Sequence, residues 1–68
     1  MKIKINGENK VLVSGLKLSE LIKAELNTDE PKGIAVALNF NIIPKQKWDE
    51  TELKENDEIE IVRAVQGG

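Results

Sequence analysis

An α+β fold, with one helix packed on one face of a mixed sheet, is what three features of this sequence predict. Period-two alternation opens and closes the chain, at Lys2-Ile3-Lys4-Ile5 and at Glu58-Ile59-Glu60-Ile61, the spacing of half-buried strands. Between them a single stretch carries helical spacing, with Leu18, Leu21, Ile22 and Leu26 on one stripe. At 68 residues there is room for one domain, and two layers suffice to bury a sheet face against a helix stripe.

The elements follow in order. Lys2 to Val13 reads as a hairpin around Asn6-Gly7, a dipeptide suited to the positive φ angles of tight turns. Glu8-Asn9 can extend that turn beyond two residues, so the second strand is expected over Lys10-Val11-Leu12-Val13. Val11 and Val13 then share one face and Leu12 takes the other. Ser14-Gly15 breaks the strand. The helix spans Leu18 to Leu26, with Ser19, Glu20, Lys23 and Glu25 facing water. Its cap is weak, because Lys17 stands where Ser, Thr or Asp would accept a backbone N–H. Asn27 to Gly33 is polar and ends the helix. Ile34-Ala35-Val36-Ala37-Leu38 alternates large and small apolar residues, as a well-buried central strand does. Asn39-Phe40-Asn41 turns the chain, and Ile42-Ile43-Pro44 is a short strand that proline confines to an edge or a strand end. Lys45 to Asn56 is a loop with a helical turn, anchored by Trp48 and Leu53; Trp48 reads as a packing anchor. Glu58 to Arg63 is the last strand.

The order β-β-α-β-β-β, with a crossover through the helix joining parallel strands, makes the first and last strands central neighbours. That is the outline of a β-grasp, the ubiquitin-like fold. Residues 1–64 are expected to form this domain and residues 65–68 a flexible tail.

Composition narrows the chemistry. The chain has no Cys and no His, so thiol nucleophiles, thiolate ligands and imidazole bases are all missing. No catalytic residue and no metal site is assigned; the chain is read as a non-enzyme that binds no cofactor of its own. The formal net charge is -2, and Lys2, Lys4 and Lys10 have no aromatic residues interleaved, which argues against nucleic acid. From Asp49 to Glu60 seven acidic residues face the single base Lys54. They read as a solvated turn and strand, or more sharply as a face docking on a basic partner surface. With no apolar leader core and no long apolar run, neither export nor membrane insertion is indicated, and a cytoplasmic protein is expected.

The chain ends Val65-Gln66-Gly67-Gly68. A carboxylate on a tether free of side chains can enter a channel where a Cβ would collide. There it can attack the α-phosphate of ATP to give an acyl adenylate, which turns a poor electrophile into a good one. Over essentially its whole length the sequence resembles the ThiS family of sulfur carriers. The resemblance is carried by Asn6-Gly7, Leu18-Ser19-Glu20-Leu21-Ile22, Val36-Ala37-Leu38-Asn39, Ile43-Pro44, Trp48, Leu53, Asp57-Glu58-Ile59-Glu60-Ile61 and the terminal Val65-Gln66-Gly67-Gly68. It implies that an E1-like adenylyltransferase of the ThiF type activates Gly68 with ATP and Mg²⁺. It further implies a thiocarboxylate at Gly68, loaded by a sulfur donor system and spent at a ThiG-type thiazole synthase to build the thiazole of thiamine. Gly67, Gln66 and Val65 would then thread the partner's active site. Two positions depart from the pattern: Lys45 stands where Arg commonly follows the proline, and Asn56 where Gly usually precedes the aspartate.

Leu12, Phe40, Ile42, Val62 and Ala64 fall out of phase with the core-facing set. A contiguous patch of them beside the tail would mark a docking surface. Other functions compete: a carrier for molybdopterin, cysteine or tRNA thiolation, a ubiquitin-like modifier joined to lysines, or an interaction domain with an inert tail. The short chain and Val65-Gln66 favour thiamine over molybdopterin.

Overall fold

Asn6-Gly7 closes the first hairpin in two residues. Both take positive φ, 50° and 83°, the signature of the turn whose twist matches that of paired strands. The computed structural model describes residues 1–27 and 32–63. In it β1 (Lys2–Ile5) pairs antiparallel with β2 (Glu8–Val11), setting Ile5 opposite Glu8, Ile3 opposite Lys10 and Lys2 opposite Val11. Glu8 and Asn9 therefore belong to the strand and not to a longer turn.

Pairing with β1 decides which side chains of β2 point inward, because directly opposite residues share a face. Lys10 shares the face of Ile3 and reaches across to Glu25 of the helix, Nζ to Oε2 3.5 Å. Leu12 continues that phase; it is half-buried against the core. Val11 and Val13 are left 81% and 71% exposed. The expectation that Leu12 lies on the open face is thus corrected.

α1 (Leu18–Leu26) follows the predicted bounds. Its start is secured without a side-chain acceptor at Lys17. The Lys17 N–H donates to Glu20 Oε1 at 2.8 Å, half of a capping box, and the Leu18 N–H donates to the Thr51 carbonyl at 2.8 Å. The segment that supplies Thr51 crosses the helix start, with Leu53 N–H donating to the Leu16 carbonyl at 2.9 Å. Ser19, expected to face water, is buried beside this crossing. At the other end Asn27 adopts the left-handed conformation and donates its N–H to the Lys23 carbonyl, closing the last turn.

β3 (Ile34–Leu38) and β4 (Asn41–Ile42) form the second hairpin, and a 3₁₀ helix (Lys45–Glu50) leads on toward β5 (Glu58–Arg63). The sheet order is β2-β1-β5-β3-β4. β1 and β5 are parallel and β3 is antiparallel to β5, so β2 and β3 run the same way on either side of the crossover helix. With one helix on one face of a five-stranded mixed sheet, this is the β-grasp. The edge strand is Asn41–Ile42 and not Ile42 to Pro44: the two-residue turn puts Asn41, expected in the turn, opposite Leu38, and Pro44 caps the 3₁₀ helix instead. β3 is interior in the sheet but covered on one face only: Val36 is fully buried while Ala35 is exposed. The alternation of large and small residues therefore separates a core face from an open one.

Among the described residues nine side chains form the core: Ile3 and Ile5 of β1, Leu18, Leu21 and Ile22 of α1, Val36, Trp48, Leu53 and Ile59. Asp57 is also buried. Its Oδ2 accepts the Lys54 N–H at 2.7 Å and its Oδ1 accepts Asn39 Nδ2 at 3.0 Å, so the aspartate that opens β5 organises the turn before it and the β3–β4 turn beside it.

Asn56 sits at φ 69° in that turn. A residue with a Cβ is held there at some cost, which asparagine tolerates best. Asn56→Gly is expected to raise stability by about 0.5 kcal/mol, read as a higher urea midpoint at unchanged slope. A lower midpoint would show that the Asn56 side chain stabilises the turn.

Candidate functional site

Everything the sequence points to at the chain's end is delivered by β5. Its outer residues are held from both sides. On one side Arg63 pairs with Ile34 and Val62 with Ala35. On the other, β1 has ended, and the Asn6 side chain takes the place of a strand. Asn6 Oδ1 accepts the Ile61 N–H at 2.8 Å and its Nδ2 donates to the Ile61 carbonyl at 3.4 Å. The backbone of Asn6 adds a bond to the Ile59 carbonyl at 2.9 Å. Asn6 thus serves both as a turn residue and as a clamp on the strand that leads to the terminus.

The open face of the sheet follows from the same register. Glu58 pairs with Lys4, Glu60 with Ala37 and Val62 with Ala35, while Ile42 stands opposite Ala37. Alanines at two positions leave a low floor between larger side chains. Ile42 is 69% exposed, Val62 57%, and Phe40, in the turn before β4, 77%. Three of the five predicted patch residues are therefore brought to the β5-β3-β4 side of the sheet. Leu12 is not among them, for the reason of phase given above. Ala64 lies outside the described residues, as do Val65, Gln66, Gly67, Gly68 and the proposed boundary between residues 64 and 65.

Sequence reasoning missed Ala35 and Ala37 as the floor of this face, the double use of Asn6, and the pairing of Asn39 with Asp57. The first was legible from the large-small alternation of β3; the other two depend on contacts between distant segments. Val11, at the end of the far edge strand, and Val13 just beyond it make a second exposed apolar spot, readable once the strand is paired with β1.

Charge on the open face is mixed, with Lys4 between Glu58 and the β2 edge. The described ion pairs, Lys10–Glu25, Lys17–Glu52 at 3.8 Å and Lys47–Glu50 at 3.3 Å, lie at the surface, partly or fully open to solvent, and contribute little to stability. Among the described residues no cluster of acidic side chains is arranged to hold a metal ion, and no helix is long and apolar enough to cross a membrane.

Comparison with known proteins gives consistent results. A model of the ThiS family matches residues 3–68. A thiazole synthase of Paramagnetospirillum magneticum is 34% identical over all 68 residues; the chain spans 20% of that relative's length. A crystal structure of the thiamine biosynthesis protein ThiS from Geobacter metallireducens superposes with a TM-score of 0.82 over the whole of both chains at 24% identity. A solution structure of a thiamine biosynthesis protein from the same organism gives 0.76 at 24% identity, over all of this chain and 88% of that one. At this identity the two structures speak for the fold.

Proposed function

Since this chain belongs to the ThiS family, we propose that it is a sulfur carrier for thiazole formation in thiamine biosynthesis, acting as a protein co-substrate and not as an enzyme. The observation that carries this reading is the family match itself, which continues through the diglycine to residue 68. Residues 1–64 serve as the recognised body and residues 65–68 as the reacting tail.

The chemistry proceeds in two displacements. A carboxylate oxygen of Gly68 attacks the α-phosphorus of ATP on a ThiF-type adenylyltransferase, with Mg²⁺ held there, and pyrophosphate leaves. Sulfide supplied by the donor system then adds to the acyl carbon and AMP leaves, giving the thiocarboxylate. The carrier contributes the reacting atom; the partner contributes the catalytic groups. Delivery to a ThiG-type thiazole synthase follows. The match of the whole chain to one fifth of a protein named thiazole synthase supports that partnership, since segments joined in one polypeptide commonly act together. A cytoplasmic location accords with ATP as co-substrate.

The exposed set Phe40, Ile42 and Val62 is the proposed docking surface for the activating enzyme. Two tests apply. Incubation with the activating enzyme, ATP and a sulfur donor should raise the protein's mass by one oxygen-for-sulfur exchange; an unchanged mass with a demonstrably active enzyme removes the carrier reading, and amide-linked conjugates in its place would indicate a modifier. Val62→Glu should raise the KM for adenylation about tenfold or more, as loss of a central apolar contact does, with folding intact by circular dichroism. An unaltered KM means the enzyme docks elsewhere.

A further inference from the structure

Two turns of this fold share one backbone shape and differ in a single chemical respect. Asn6-Gly7 and Asn39-Phe40 are each two-residue loops with positive φ at both positions, 50° and 83° in the first, 50° and 71° in the second. An asparagine Cγ and the backbone nitrogen of the next residue can close an imide ring, an attack within one chain that proximity favours. At Asn39 that nitrogen belongs to Phe40, whose side chain crowds the approach. At Asn6 it belongs to Gly7, which is exposed, has no Cβ to shield it, and has open space where one would stand. None of the other asparagines, Asn9, Asn27, Asn39, Asn41 and Asn56, precedes a glycine.

The fold uses the very amide that this reaction would consume. β1 ends at Ile5 whereas β5 runs on to Arg63, and the planar Asn6 amide stands in for the missing strand. Its Oδ1 accepts the Ile61 N–H at 2.8 Å and its Nδ2 donates to the Ile61 carbonyl at 3.4 Å. Attack by the Gly7 nitrogen turns Cγ from planar to tetrahedral, and a tetrahedral Cγ no longer aims both groups at Ile61. The clamp therefore resists the chemistry for as long as Ile61 is held. Neither product restores it. Aspartate lacks the Nδ2–H donor and sets a charged oxygen against the Ile61 carbonyl. Isoaspartate routes the main chain through Cγ, which adds a methylene to a two-residue turn and takes the acceptor into the backbone.

We propose that Asn6-Gly7 is a site of covalent self-modification, guarded by its own hydrogen bonds to Ile61, and that conversion irreversibly releases the strand leading to the terminus. The balance is that of an amide hydrolysis. Hydroxide removes the Gly7 N–H proton, and the nitrogen bonds to Asn6 Cγ. The Cγ–Nδ2 bond breaks and ammonia leaves with a proton taken from water, which restores the hydroxide. Water then opens the imide at either carbonyl. Breaking the Cγ–N bond gives aspartate; breaking the bond between the Asn6 main-chain carbonyl carbon and the Gly7 nitrogen gives isoaspartate. The site stands independently of the carrier reading, because its readouts are mass and amide exchange.

Folded chain and chain unfolded in guanidinium chloride are held side by side at mildly alkaline pH. The peptide containing Asn6 is followed by mass and by chromatographic separation of its aspartyl and isoaspartyl forms. Unfolding should speed loss of the Asn6 amide by about tenfold or more, since the two bonds to Ile61 no longer oppose it, with Asn39 lagging far behind. Equal rates in the two states remove the guard, and an Asn6 that outlasts Asn39 in the unfolded chain removes the site. The isoaspartyl protein, separated from its parent by anion exchange, should exchange the Ile61 amide about tenfold or more faster, with Ile22 in the helix unchanged. Asn6→Ala, which removes the clamp without the imide chemistry, should do the same. Unaltered exchange at Ile61 in both, or exchange raised equally at Ile22, overturns the release.

Discussion

Deleting Gly68 is expected to abolish ATP-dependent thiocarboxylate formation while leaving the melting temperature of the domain unchanged. The two halves of this expectation have separate grounds. The described core draws on residues up to Ile59, with Ile61 packed against it, and the melting temperature is expected to follow those residues. The chemistry is affected by position. Shortening the chain draws the carboxylate back by one residue, about 3.5 Å, when attack requires approach to within about 3.5 Å in a fixed direction. A misplacement of 1 Å can already cost on the order of a hundredfold in rate, so loss of a full residue should exceed that. Intact-mass measurement and pyrophosphate release report the two steps independently. Gly68→Ala is the graded version: it keeps the length and adds a Cβ, and it should adenylate slowly rather than not at all. If the shortened chain is still loaded with sulfur, the reacting group is not the carboxylate of residue 68 and the proposed mechanism is wrong.

Much of this fold was legible in the sequence because its signals are local. Alternation at Lys2 to Ile5 and at Glu58 to Arg63, the stripe from Leu18 to Leu26 and the Asn6-Gly7 turn each depend on neighbours a few residues apart, and each lies where it was expected. The errors share one cause. Leu12 was exchanged for Val11 and Val13 because the facing of the second strand depends on its pairing with β1; lengthening the turn by Glu8-Asn9 shifts the register by two residues and leaves that facing unchanged. Ser19 was misjudged because a segment more than thirty residues later folds across it. The site divides in the same way. Phe40, Ile42 and Val62 were identified by being out of phase, a local property. That they share a face, that Ala35 and Ala37 lie between them, and that Phe40 is held at positive φ are consequences of pairing β3 with β5 and of the Asn39–Asp57 bond. The sequence carries these features without displaying them.

Trp48→Ala is expected to be the most destabilising single change in the described core. Trp48 is 4% exposed and packs among aliphatic side chains from the helix and the sheet, while its Nε1 donates to the Ile43 carbonyl at 2.9 Å. A buried Trp replaced by Ala costs about 3–5 kcal/mol, and the orphaned carbonyl adds to this where water cannot reach it. A domain of this length has a total stability of about 3–10 kcal/mol, with no disulfide and no described metal site to supplement it. The variant should therefore be partly or wholly unfolded at ambient temperature, by near-ultraviolet circular dichroism and by the loss of a cooperative urea transition. Trp48→Phe retains most of the volume and loses the hydrogen bond, so it should remain folded with stability reduced by about 1–2 kcal/mol. The damage should also have a direction. Ile43 follows Ile42 directly, and its carbonyl is tied by Trp48 while its N–H is tied by Val36; releasing one tie loosens the edge strand that presents Ile42. In Trp48→Phe, hydrogen exchange should accelerate first at Ile42 and Ile43, ahead of β1 and β5. Exchange rising evenly over the whole sheet would mean that Trp48 acts only as bulk in the core and does not secure the open face.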